Sequence, residues 1–188
     1  MSDLVPLTGE PLALDLVNTR PTGVDLLTTP EDLRAWLRLE ADRFAQAREF
    51  AAVELTDAEL AAVRDIRHRT ARVLDHARHG TQPPAGDLAA LNQAQRTAPA
   101  ITELTWSGDV VTATHSRTGP RGARLAAWLA EAAAELLADS AVGKVRQCEA
   151  GDCVMLFLPA HPRRRWCSAA RCGNRVRVAR HYQRNKPT

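Results

Sequence analysis

Cys148-Glu-Ala-Gly-Asp-Cys153 and Cys167-Ser-Ala-Ala-Arg-Cys172 repeat one step, Cys-x4-Cys, with thirteen residues between the two copies. Two close cysteine pairs joined by a short segment are what a tetrahedral four-thiolate site requires. Each pair grips one edge of an ion, and the connection brings the edges together. All four cysteines of the 188-residue chain fall within 25 residues and none lies elsewhere, which argues against scattered buried thiols. Disulfides fit the even count but not the opening Met1-Ser2-Asp3, which lacks a basic and apolar leader. An iron–sulfur cluster also uses four cysteines. The paired spacing favours one structural zinc ion, Zn2+, on Cys148, Cys153, Cys167 and Cys172. Four thiolates close the coordination shell, so such a site stabilises a fold and does not activate water.

The charge of the chain divides at nearly the same place. Residues 1–143 hold 14 Arg, no Lys and 20 acids, a net of −6. Residues 144–188 hold 11 basic residues and two acids, Glu149 and Asp152, a net of +9. A codon bias toward arginine explains 23 Arg against 2 Lys, but not the loss of acids after Asp152. Two units are therefore expected, an acidic domain over 1–143 and a basic module over 144–188. The module is too small to build a secure core, so the metal supplies much of its folding free energy.

Arginines crowd that module: Arg163, Arg164, Arg165, Arg171, Arg175, Arg177 and Arg180. On a helix, Arg171 and Arg175 share one face, and Arg177 and Arg180 start a second row. Guanidinium groups bind phosphate in bidentate fashion, and clustering them builds the field that nucleic acid needs, so DNA is the expected partner. The alternative is an interaction adaptor whose module docks on an acidic partner or on its own N-terminal domain.

Upstream, Pro11-Leu-Ala-Leu-Asp15-Leu-Val-Asn18-Thr19-Arg20 is a short apolar run that periodicity assigns to neither strand nor helix. Asp15, Asn18 and Thr19 cluster at its polar end, as candidates to line a small-molecule pocket or to cap the next turn. Thr29 and Pro30 start a helix whose apolar face runs through Leu33, Trp36, Leu37 and Phe44. Thr56-Asp-Ala-Glu59 reads as the capping box of a second helix that stops at Gly80. After a linker at Pro83-Pro84, a shorter helix carries Leu88 and Leu91. Ile101–Trp106 and Val110–His115 flank Ser-Gly-Asp and form a β-hairpin, and Leu125–Ala138 is helical again. In the basic module, Val154–Leu158 has strand character, and a helix is expected from Ser168 onward. The fold class is mainly α with a small β-hairpin (α+β), ending in a treble-clef-like zinc finger.

Arg164-Arg165-Trp166-Cys167-Ser168 and Cys172-Gly173-Asn174-Arg175, preceded by Cys148-x4-Cys153-x3-Phe157, resemble the CGNR zinc finger, named for the four residues beginning at Cys172. Leu12-Ala-Leu-Asp15-Leu-Val-Asn18-Thr19 resembles the opening of the ABATE domain, which precedes that finger in bacterial proteins. Pro159 and His161 stand where the family usually has an acid and a serine or threonine, and Ala169 replaces its usual methionine. The resemblance implies a stress-induced transcription regulator whose finger binds DNA. It further suits an N-terminal domain that senses a ligand or forms a homodimer.

Other classes are disfavoured. No nucleophile elbow, phosphate loop or HExxH step occurs, so no enzyme is expected. The longest alanine-leucine stretch, 125–138, is broken by Glu131 and Glu135 and is too short to span a bilayer. A cytoplasmic protein is expected.

Overall fold

The computed structural model describes residues 6–21 and 24–184. The ambiguous apolar run is a helix, α1 (Leu12–Val17). Leu12, Ala13, Leu14, Asp15 and Leu16 are all buried, so α1 has no solvent face and no periodicity to read. Helix α2 (Pro30–Glu40) starts at the expected cap, where Thr29 and Asp32 satisfy each other's backbone amides. It stops earlier than the spacing of Phe44 suggested. The chain turns at Ala41–Phe44 and restarts as α3 (Ala45–Ala51). This turn lets Arg43 reach back to the C-terminal end of α2, while Phe44 packs edge-on against Trp128 at 6.0 Å.

Helix α4 (Asp57–Arg78) begins at the Thr56–Glu59 capping box and ends before Gly80, whose φ of +66° suits glycine. It packs against α5 (Ala85–Thr97) and α6 (Arg121–Ala138), and α1 lies against both α4 and α6. Leu16, Trp36, Val63, Leu91, Leu125 and Leu129 are buried among these helices. The hairpin pairs β1 (Ile101–Trp106) with β2 (Val111–Ser116), Leu104 opposite Ala113.

A 3-10 turn (Ser140–Lys144) leads into two short antiparallel strands, β3 (Arg146–Gln147) and β4 (Leu156–Phe157). The strand expected over 154–158 is therefore reduced to two residues. The helix expected from Ser168 is split: Ala169–Gly173 form one wide turn, and α7 (Asn174–Arg184) follows. A second apolar cluster joins this module to the bundle, with Val145 and Leu156 packed among Leu14, Leu74, Ala133 and Leu136. Burying two such side chains is worth roughly 1.5–3 kcal/mol each, so the module is anchored to α1, α4 and α6.

Candidate metal centre and the surface around it

The four cysteines are placed by local backbone geometry. The Cys148 amide donates to the Met155 carbonyl at 2.9 Å, and the Cys153 amide to the Ala150 carbonyl at 2.9 Å, which folds 148–153 into a tight knuckle. On the other side, Ser168 caps the wide turn by accepting from the Arg171 amide. Its carbonyl accepts from both the Cys172 and Gly173 amides at 3.1 Å. Gly173 fits closely there: a Cβ would lie 3.2 Å from Cδ1 of Trp166, which packs against the knuckle, and the ring would have to give by a few tenths of an ångström. Tight backbone approach selects glycine.

The four sulfur atoms lie within 4.8 Å of one another. Cys167 Sγ is 3.9 Å from Cys153 Sγ and 3.6 Å from Cys172 Sγ. A tetrahedral zinc with Zn–S bonds of about 2.3 Å sets its sulfurs roughly 3.8 Å apart, so the spacing fits. All four cysteines are free thiols. Burial, with the neighbouring thiol groups adding to it, pushes Cys153 up to about 11 and Cys167 higher still, while hydrogen bonds lower Cys148 against its burial, so Cys153 and Cys167 become thiolates only beside a cation. The residues are positioned to bind one metal ion, a structural Zn2+ held by Cys148, Cys153, Cys167 and Cys172.

The arginines divide by role. Arg164 points inward: it pairs with Glu10 at 2.5 Å, donates to the carbonyls of Trp166 and Cys167, and stacks over Phe157 at 4.4 Å. Arg165 lies on the surface with Glu149, and Arg175 binds Asp152 through two bonds of 2.6 and 3.0 Å. Arg163 and Arg177 are exposed, and Arg171 is half-buried. The side chain of Arg180 lies outside the described residues. The module's two acids thus hold Arg165 and Arg175 beside the metal centre.

Asp15, Asn18 and Thr19 are all buried. Asp15 accepts from the amides of Gly9 and Glu10 and from Arg43. Thr19 donates to the Leu16 carbonyl and accepts from Arg67. Asn18 binds the finger: its amide nitrogen donates to the Leu156 carbonyl and its oxygen accepts from the Leu156 amide, each at 2.8 Å. It also borders a cleft of about 390 Å3 between the two parts of the chain, lined by Thr8, Glu10, Arg164 and Ser168. Sequence reading missed Glu10, whose carboxylate accepts from the Leu158 amide at 2.9 Å and pairs with Arg164. No local signal marks it, because its partners lie about 150 positions away.

A family model described as "Putative stress-induced transcription regulator", ABATE, matches residues 10–140. A second, the CGNR zinc finger, matches residues 144–185. No curated protein matches the chain. Among the described residues, no helix is long and apolar enough to cross a membrane.

Proposed function

The chain belongs to the ABATE family and ends in a CGNR zinc finger, and from that premise we propose that it is a cytoplasmic transcription regulator that grips DNA through the arginines around its metal centre. The observation that carries this reading is the exposed basic collar of Arg163, Arg165, Arg175 and Arg177 on a module of net charge +9. Arg165 and Arg175 pair with Glu149 and Asp152, and both pairs are solvent-exposed. Exposed pairs contribute little, so a DNA phosphate can take over the guanidinium at small cost. Arg164 belongs to a different part of the account: it ties the finger to Glu10 and leaves phosphate to its neighbours.

The N-terminal domain supplies the regulatory input in this reading. A small ligand in the 390 Å3 cleft would touch Glu10 and Asn18, which hold the finger, and so would shift how the collar is presented. Catalysis has no place in the proposal, since a closed four-thiolate shell offers no open coordination position.

The test is genome-wide DNA recovery with the parent and with an Arg163→Ala/Arg165→Ala/Arg177→Ala variant. Discrete sites lost in the variant support the reading. Equal recovery by both overturns it. A second reading, an adaptor that docks on acidic protein surfaces, is favoured by one observation: Arg164, Arg165 and Arg175 already sit in carboxylate pairs. Absence of DNA recovery together with capture of an acidic protein partner would select it.

A further inference from the structure

Among the described residues, nothing covers the apolar face of the β1–β2 hairpin. Residues opposite each other in an antiparallel pair share a face, so the register puts Leu104 with Ala113 and Trp106 with Val111 on one side. Thr102 and His115 complete that side. The other side carries Ile101, Glu103, Thr105, Thr112, Thr114 and Ser116, with Thr105 and Thr112 joined by a hydroxyl hydrogen bond of 2.8 Å. Apart from Ile101 at its end, that side is polar. On the apolar side Leu104 is 70% exposed, Trp106 67% and Val111 58%.

A lone two-stranded hairpin is marginal in water, and its usual remedy is to pack its apolar face. We propose that this face is covered by the same face of a second copy, in a two-fold dimer. Three observations favour a copy over a foreign partner. First, the hairpin's need for cover is permanent, and the partner always present with the chain is the chain itself. Second, a two-fold contact sets each patch against itself, so any charge on it meets its like. The stripe of Thr102, Leu104, Trp106, Val111, Ala113 and His115 carries no acid and no Lys or Arg, and its one titratable group is His115 at its end, neutral in the formal count at pH 7; the hairpin's acids lie off it, Glu103 on the far side and Asp109 in the turn. Third, large apolar side chains present on the order of 100–200 Å2 each. With Val110 beside it, also exposed, the stripe offers roughly 500 Å2 per protomer, against about 800 Å2 per partner in a standard interface. The total of about 1,000 Å2 puts such a dimer in the small, weak class of interfaces.

The dimer would carry two fingers, which a regulator of paired DNA half-sites needs, but it stands without the DNA reading. Sedimentation of the full zinc-loaded chain across a concentration series tests it. The expected mass rises from 20.6 kDa to twice that value, with Trp106 fluorescence shifting to the blue over the same range. Leu104→Glu with Trp106→Glu weakens association by about a hundredfold or more, and Val111→Lys does so independently. Thr105→Glu, on the polar side, leaves it unchanged. Circular dichroism of each variant checks that the helices persist. A parent that stays monomeric throughout overturns the proposal, as does a dimer equally strong in the Leu104/Trp106 and Val111 variants.

Discussion

Asn18 pairs with Leu156 as a neighbouring β-strand would: one side chain both donates to and accepts from the backbone of one residue, 138 positions away, at 2.8 Å each way. Leu156 is in β4, and its outer edge is otherwise unpaired among the described strands. An asparagine is the right size and polarity to end a two-stranded ribbon inside an apolar cluster. Its carboxamide thereby couples α1 to the metal-bearing module.

Removing that splint leaves a buried N–H and a buried carbonyl without partners. Asn18→Ala is expected to cost roughly 2–4 kcal/mol in urea unfolding. Asn18→Asp should cost as much or more, because the carboxylate sets an acceptor against the Leu156 carbonyl. A loss under 0.5 kcal/mol in both, on the scale of ordinary surface changes, would show that the pairing does not hold the module in solution.

Glu10 makes the neighbouring attachment, to the Leu158 amide and to Arg164. Glu10→Ala should cost about 1–3 kcal/mol and should raise hydrogen exchange at Leu156 and Leu158 ahead of the helical bundle. Arg164→Ala should reproduce that exchange pattern. If Arg164→Ala changes DNA affinity with exchange untouched, the inward role assigned to Arg164 is wrong.

Asp15 and Glu40 are fully buried and share Arg43, at 2.6 and 2.8 Å. Burial pushes Asp15 up to about 6 against the pull of Arg43, and it pushes Glu40 to about 7 with the charge of Asp15 adding. Their ordinary values are 3.8 and 4.5. Carboxyls raised on folding contribute stability that is fully present below the unfolded values and is lost as pH rises through the folded ones. The urea midpoint should therefore fall between about pH 4 and pH 7, and Glu40→Gln should flatten the fall. Asp25 does not confuse this window. Although burial opposes it, bonding to Arg67 lowers Asp25 to about 2, so its contribution fades only in acid. Parallel slopes in parent and Glu40→Gln would contradict the assignment.

Metal analysis should return one zinc per chain, and chelation should undo the knuckle. Because Cys148, Cys172 and Phe157 form one small cluster under Trp166, its near-ultraviolet signal should disappear with the metal, and Val145 and Leu156 should become accessible to an apolar dye. Bound iron, or two intact disulfides, would contradict the zinc assignment.

What the chain shows in its sequence is what neighbours in sequence decide. The cysteine steps, the N-cap at Thr29, the capping box at Thr56 and the two β-branched runs around Ser107-Gly-Asp109 are local patterns, and the structure contains each of them. Helix α1 was ambiguous because full burial erases periodicity. The turn at Ala169–Gly173 is wider than a regular first helical turn because the Ser168 carbonyl takes the Gly173 amide as well as that of Cys172. The attachments Asn18–Leu156 and Glu10–Arg164 carry no local signature, and within a run of three arginines nothing in the chain singles out the middle one as turned inward.

The central claim is that the collar around the zinc centre binds phosphate. It is tested most directly by the salt dependence of duplex DNA binding, measured on the full zinc-loaded chain. Four arginines (Arg163, Arg165, Arg175 and Arg177) engaging one phosphate each predict that log affinity falls against log salt with a slope of about −3 to −4. The Arg163→Ala/Arg165→Ala/Arg177→Ala variant should lose roughly three units of that slope. Affinity insensitive to salt, or a variant with the parent's slope, would contradict the account.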